Sequence, residues 1–180
     1  MKTRKLVQVG ACALVCVGGS LHAAAPFVFT KATAYSVVAG QKAVQEGPVS
    51  NLCWGAASPN LDIKGDVTFR GGFFTGERQT RQKGYPTTLI VRAGATVRIE
   101  GRPVQTAGVD FRQTEPGTVR LAVPGSQYRD WYVQHGTLVC EGANVLNPDR
   151  GLVLWGQAPG TVDINGFSQN VGELRATDAT

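Results

Sequence analysis

Short runs of β-branched and aromatic residues, separated by Gly, Pro, Asn and Asp, limit what this chain can fold into. Residues 96–100 read Thr-Val-Arg-Ile-Glu, the alternation of a strand with one solvent-exposed face. Helix evidence is weak: the best stretch, residues 32–45, contains a β-leaning run at 35–38 and Gly40, which leaves at most one or two helical turns. The chain is therefore expected to be all-β. The predicted strands are residues 66–70, 87–92, 96–100, 109–112, 118–123, 131–141, 152–155 and 161–164.

A small residue, then Thr, then an apolar residue opens four of these strands. The threonines are Thr96, Thr118, Thr137 and Thr161, spaced by 22, 19 and 24 residues. A right-handed β-solenoid with one coil per about 20 residues produces this recurrence. A sandwich of hairpins produces it too, because such a motif also marks the exit from a turn, and Ala-Gly-Ala at 93–95 has the composition of a tight hairpin loop.

The first 23 residues have the layout of a Sec signal peptide. A positively charged start is followed by an apolar run through residue 19 and by small residues around Ala23. We expect cleavage after Ala23 or Ala24, which leaves residues 24–180 as one all-β domain in the periplasm, at the cell surface or outside the cell. The apolar run is shorter than the roughly 20 residues of a membrane-spanning helix, so the protein is not expected to span a membrane.

Removal of this signal peptide, the leader, lowers the net charge of the protein. The whole chain has 18 Lys and Arg residues and 13 acids, a net charge of +5. Three of the basic residues and none of the acids lie in residues 1–23, so the remaining domain carries only +2. A balance this mild does not favour nucleic acid as a partner.

Cys53 and Cys140 are the only cysteines after residue 23, and an oxidising compartment favours a disulfide between them. They lie about four repeats apart. Stacked coils would separate them by nearly 20 Å, whereas a disulfide needs Cα atoms within about 7 Å. The sequence therefore predicts a single-domain antiparallel β-sandwich or flattened barrel with one disulfide, and a right-handed β-solenoid is the alternative.

No residue pattern indicates catalysis, a metal or a cofactor. A Gly-x-Ser-x-Gly elbow is absent, and the one histidine after residue 23, His135, precedes a glycine at a predicted turn. The carboxylates are scattered and define no glycosidase pair. Residues 163–166, Asp-Ile-Asn-Gly, lack the further acidic ligands of a calcium loop and predict a turn. No catalytic residue, metal ligand or cofactor is therefore predicted.

Two segments are candidate recognition surfaces. Residues 76–85 form a polar, glycine-bounded stretch that concentrates Arg78, Arg81 and Lys83 and ends at Tyr85; a solvated turn is the plain alternative. Residues 128–132 contain Trp131 among residue types common at interfaces, and a core strand is the plain alternative there. Three cations beside one acid favour a protein partner or an acidic glycan.

The sequence thus favours an exported, non-catalytic β-domain that binds or assembles outside the cytoplasm, as part of a surface, secretion or pilus-type assembly or as an adhesin-like module. A small secreted hydrolase of polysaccharide or peptidoglycan is the alternative. A secreted enzyme inhibitor is the third possibility.

Overall fold

The computed structural model of the chain describes residues 21–23, 27–29, 32–35, 39–51, 60–75, 87–106, 111–156 and 160–177. These residues form strands, turns and bends, and every strand pair between them is parallel. No helix in this part of the chain is long and apolar enough to span a membrane.

Three parallel sheets form the sides of a β-solenoid. Sheet A contains β1 (Leu21–Ala23), β4 (Lys42–Gln45), β7 (Asp66–Phe69), β10 (Thr96–Ile99), β13 (Thr118–Leu121), β15 (Thr137–Cys140) and β17 (Thr161–Asp163). Sheet B contains β2 (Phe27–Phe29), β5 (Val49–Asn51), β8 (Phe73–Thr75) and β11 (Val104–Thr106). Sheet C contains β3 (Ala32–Tyr35), β6 (Asn60–Ile63), β9 (Thr87–Val91), β12 (Phe111–Thr114), β14 (Asp130–Val133), β16 (Gly151–Trp155) and β18 (Glu173–Thr177).

The chain visits the sheets in the order A, B, C and then returns to A, so the described strands form seven coils. We number the coils 1 to 7, each beginning with its strand of sheet A. Sheet B ends after coil 4, and among the described residues coil 5 pairs with it through an isolated β-bridge between Gln105 and Gln127. In coil 6 the loop 141–150 takes the corresponding place between β15 and β16.

The all-β class is confirmed, but the antiparallel sandwich is wrong, and the observed architecture is the solenoid of the alternative. A strand with one wet face alternates in the same way in both arrangements, so the pattern at 96–100 could not separate them. Ala-Gly-Ala at 93–95 is not a hairpin loop. It is the turn from sheet C to sheet A, in which the N–H of Ala95 donates to the carbonyl of Arg92 at 2.9 Å. The helical turns allowed within 32–45 are absent from its described residues, which hold β3 and β4.

In-register stacking places the inward side chains in continuous columns. In sheet A, Val67, Val97, Val119 and Leu138 follow one another in successive coils, each no more than 1% exposed. Each buried apolar side chain of this size contributes about 1.5–3 kcal/mol relative to an exposed one. The hydrophobic core is therefore a stack of similar layers along the solenoid axis.

The glycine of the recurring Gly-Thr motif is required by the corner between sheets C and A. A Cβ on Gly136 would lie 2.2 Å from the carbonyl oxygen of Gly117, and Gly136 has φ of 79°. A Cβ on Gly117 would lie 2.4 Å from Cγ1 of Val91, and one on Gly160 would lie 2.4 Å from Cγ1 of Val133. Only glycine fits there, because adjacent coils approach too closely for a side chain.

An ion-pair network runs over the outer face of sheet A from coil 2 to coil 6. The paired residues, in order, are Glu46, Arg70, Glu100, Arg98, Glu141 and Arg120. Glu141 joins two coils, because its carboxylate accepts from Arg98 Nε at 2.6 Å and from Arg120 Nη1 at 3.0 Å. Burial raises the pKa of Glu141, but these two hydrogen bonds outweigh it and hold the pKa below its usual range.

This lowered pKa predicts an acid-sensitive contribution to stability. Ion pairs of Glu141 stabilise the fold above the unfolded-state pKa of about 4.3, and that stabilisation is lost as the pH falls through the lower folded-state pKa. We expect the Tm to fall less steeply below about pH 5 in Glu141→Gln than in the wild type, as measured by circular dichroism melts. At neutral pH the variant should lose no more than about 1 kcal/mol, because both arginines are partly exposed. The exposed Asp149, which has no role in the network, supplies the control variant Asp149→Asn. Equal slopes for Glu141→Gln and the wild type would refute the role of the network.

The predicted disulfide is not shown. Cys140 is a buried free thiol on β15 in coil 6, and Cys53 lies outside the described residues. Asn51, two residues before Cys53, lies on β5 in coil 2. Four steps of about 4.8 Å place coils 2 and 6 about 19 Å apart, so the stacking disfavours a bridge.

We expect Cys140 to react slowly with iodoacetamide in the native protein and rapidly after unfolding. Its side chain is 0% exposed, and burial raises the pKa of its thiol to about 11. Mass spectrometry of peptides labelled without reductant measures the alkylated fraction under both conditions. A cross-linked peptide joining Cys53 and Cys140 in unreduced protein would contradict this expectation.

Candidate functional site

The outer face of sheet C carries an unbroken row of outward positions set by strand register. Alternation turns every second residue of each strand outward, and the parallel register aligns these residues from coil to coil. We call this series the outer row; it consists of Asn60, Thr88, Arg112, Tyr132, Val153 and Arg175. The row therefore presents amide, hydroxyl, guanidinium and aromatic groups along the solenoid axis.

Three side chains form a compact cluster at coils 4 to 6. The guanidinium of Arg112 lies over the ring of Tyr132 and over the ring of Trp155, 5.5 Å from each centroid. The two rings meet edge to face, with centroids 5.8 Å apart and an interplanar angle of 67°. All three side chains are partly exposed, so the cluster, which we call the aromatic–arginine patch, forms part of the surface.

The charge of Arg112 is balanced differently from that of the other arginines on the outer strand faces. Arg98 and Arg120 both pair with Glu141. Arg112 forms no ion pair with a described carboxylate, and its Nε is buried without a hydrogen-bond partner among the described residues. Cation–π contacts stabilise a guanidinium by about 0.5–2 kcal/mol and leave its charge in place. The patch therefore carries a positive charge that an anionic ligand could neutralise.

A tight polar node borders the patch. Asp130 accepts from Arg175 Nη2 at 3.0 Å and from the N–H of Gly151 at 2.9 Å. The hydrogen bond to Asp130 raises the pKa of Arg175, and Glu173 lies 3.2 Å from its Nε. Val153, which lies between Tyr132 and Arg175 in the outer row, is only 2% exposed despite facing outward. The node is thus a set of ion pairs beside a patch whose arginine forms no ion pair with a described carboxylate.

The structure places Trp131, a predicted binding residue, in the core. Its side chain is 0% exposed and packs edge to face against Tyr128, with ring centroids 5.3 Å apart. The ring is therefore not at the surface, in line with the core-strand alternative, and its neighbour Tyr132 faces outward instead. The other predicted binding residues, Arg78, Arg81, Lys83 and Tyr85, lie outside the described residues, and their role stays a prediction.

Sequence reasoning missed Arg112 and Trp155 as members of a site. They are 43 positions apart in the sequence and come together only because β12, β14 and β16 are neighbours in sheet C. The available signal was the coil period: Arg112, Tyr132 and Val153 are separated by 20 and 21 residues. Within the described residues, no cluster of three or more His, Cys, Asp or Glu side chains could hold a metal ion.

A substitution of Gly151 tests how closely Asp130 and Arg175 of the polar node pack against the backbone. A Cβ there would lie 2.5 Å from Oδ1 of Asp130 and 2.7 Å from Nη2 of Arg175. We expect Gly151→Ala to destabilise the protein by about 1 kcal/mol in urea titrations, because the added methyl group displaces the ends of two flexible charged side chains. The control is Gly142→Ala, whose Cβ would meet its nearest atoms at 3.4 Å. Equal stabilities of the two variants would show that the node is not constrained as described.

Comparisons of this chain with protein-family models, with curated proteins and with solved structures found no match.

Proposed function

We propose that this protein binds an acidic polysaccharide outside the cytoplasm, along the outer face of sheet C. The observation that carries the proposal is Arg112, which lies over two aromatic rings at the surface without a carboxylate partner among the described residues. An exported domain would meet such polymers at a cell surface or in the surrounding medium, and export itself rests on the leader at residues 1–23.

The chemistry of the patch suits sugar acids. Aromatic rings offer flat apolar faces on which the C–H face of a sugar ring can pack, and they lose little conformational entropy on binding. A guanidinium recognises a carboxylate through two parallel hydrogen bonds, which makes arginine the favoured partner for planar anions. Asn60 and Thr88 extend the outer row with groups that both donate and accept hydrogen bonds, as hydroxyl-rich ligands require.

The coil repeat supports a polymer as the ligand. Outward positions recur about every 4.8 Å along the axis, so a linear chain lying on the row would meet one side chain per coil, except at coil 6, where Val153 is only 2% exposed. The residues 76–85 join β8 to β9, and β9 carries Thr88 of the outer row. Arg78, Arg81 and Lys83 therefore belong to a segment that leads directly into this face, and we include them in the proposal as further cations.

A polysaccharide hydrolase is the second candidate, and one observation favours it. Asp130 and Glu173 align through Gly151 on one outward column of sheet C, so two carboxylates, the groups that a glycosidase uses, lie on the same face. Both carboxylates, however, contact Arg175. An ion-paired carboxylate is a poor general acid near neutral pH, so this function would require one of the two carboxylates to lose its contact with Arg175.

Binding to polygalacturonate, a polymer of sugar acids, tests the proposal, with neutral dextran as the matched ligand. We expect the wild type to bind polygalacturonate and not dextran in isothermal titration calorimetry, with affinity that falls as salt is added. Arg112→Gln should weaken binding about tenfold or more, because it removes a charge-assisted contact. Trp155→Ala should weaken it through the loss of ring stacking.

Arg102→Gln is the control, since Arg102 is exposed on the turn after β10 and its substitution makes the same charge change away from sheet C. We expect its affinity to stay within about twofold of the wild type. Reversal of Arg78, Arg81 and Lys83 to Glu tests the 76–85 segment separately. Equal effects of Arg112→Gln and Arg102→Gln would contradict the patch as the site, and new reducing ends in the incubated polymer would favour the hydrolase.

A further inference from the structure

The last coil exposes apolar residues at positions that are buried in the coil before it. Leu174 on β18 is in register with Leu152, yet Leu174 is 64% exposed and Leu152 only 3%. Ile164 directly follows Asp163, the partner of Val139, so it continues the column of Cys140 and is 50% exposed. The core is therefore open at the end formed by coil 7.

The exposed apolar side chains of the described residues concentrate at this end. Phe167 is 38% exposed and lies in the turn that joins β17 to β18, where its N–H donates to the carbonyl of Ile164 at 2.9 Å. Asn165 and Gly166 within that turn have φ of 49° and 75°, which confirms the turn predicted at 163–166. This turn therefore holds two large apolar side chains at the surface, where they can pack against another molecule.

The backbone at this end is also open. β17 and β18 are the terminal strands of sheets A and C, so among the described residues no strand pairs with their outer edges. Edge strands with apolar neighbours pair readily with other strands, and terminal coils of repeat proteins normally carry a polar cap. Coil 7 offers unpaired N–H and C=O groups and apolar side chains together.

The opposite end of the solenoid complements this one. All strands of sheet C run in the same direction, so the free edge of β3 can continue the parallel ladder that ends at β18. In the backbone register, Thr33 and Tyr35 of β3 align with Leu61 and Ile63, both of which are buried. Continued in the register of sheet C, the ladder would place Ala176 of β18 opposite Thr33 and Leu174 opposite the chain just before β3. This pairing does not involve β1, so it is independent of cleavage after Ala23 or Ala24.

The charges of the two ends are opposite as well. Residues 1–45 contain no acid, and Lys31 and Lys42 lie beyond the predicted leader. Residues 161–180 contain three acids, Asp163, Glu173 and Asp178, and one arginine. Opposite charge favours contact between unlike ends and disfavours contact between like ends.

We propose that the occupant of the open end is a second copy of this chain, stacked head to tail, with β18 of one copy pairing in parallel with β3 of the next. Such a contact joins two different surfaces and does not close on itself, so it propagates into a filament. The outer row of sheet C then continues from copy to copy. A polymer lying on it would be bound by several copies at once, which raises the effective affinity without new contacts.

Sedimentation velocity of the purified full chain over a range of concentrations tests the proposal without any ligand. We expect species larger than a dimer that grow with concentration, and filaments with an axial repeat of about 34 Å, seven coils of about 4.8 Å, in electron micrographs. Leu174→Lys should raise the concentration needed for association about tenfold or more, because it adds positive charge to an apolar contact facing a basic end.

Gln105→Lys is the matched control, since Gln105 is exposed on the side of the solenoid in β11. It should associate as the wild type does. Circular dichroism spectra of both variants check that they are folded. We expect Leu174→Lys to leave the fold intact, because Leu174 is mostly exposed. Monomers at all concentrations, association that stops at a dimer, or equal behaviour of both variants would overturn the proposal. Binding of polygalacturonate by monomeric Leu174→Lys would separate this proposal from the binding function.

Discussion

Parallel, in-register stacking of coils is the constraint on which the rest of this structure depends. Each strand inside a sheet hydrogen-bonds to the strand one coil before it and to the strand one coil after it, so side chains at the same position of successive coils lie above one another. Apolar positions become continuous inward columns, such as that of Val97, Val119 and Leu138. A slip of one residue would turn these columns outward and bring charged residues inside, so burial enforces the register.

Other features follow from that stacking. Close approach of adjacent coils leaves no room for a side chain at Gly117, Gly136 and Gly160, which explains the glycine before the threonine at three of the four motif positions. The same close approach lets Glu141 link arginines from two other coils and lets Arg112 reach rings in two later coils. Proximity of residues distant in sequence is thus a direct product of the repeat. The candidate site consists of such residues and is therefore a property of the stack.

The sequence predicts the β class and several strands, but it misses others, such as β4, β6 and β18, joins β14 and β15 into one, and predicts the arrangement poorly, for a physical reason. Alternation reports which face of a strand is wet, and it identified β10 and β13 closely. It does not report which strand lies alongside, and the expected disulfide between Cys53 and Cys140 then favoured a sandwich. Trp131 and Tyr132 are neighbours in the sequence, but Trp131 faces the core and Tyr132 faces outward. Residue type does not reveal which face a residue takes, so Trp131 was predicted as the binding residue although Tyr132 lies at the surface. Arg112 and Trp155 could be joined only with the register known.

Nuclear magnetic resonance of the uniformly labelled native protein tests parallel stacking most directly, because it reports which strands are neighbours and in which direction they run. The account predicts methyl contacts from Val97 to Val119 and from Val119 to Leu138. It also predicts contacts between the side chains of Arg112, Tyr132 and Trp155, without strong Hα–Hα contacts between paired strands. Strong Hα–Hα contacts across paired strands, the mark of an antiparallel sheet, together with missing contacts between Val119 and Leu138, would contradict the solenoid and the site that it assembles.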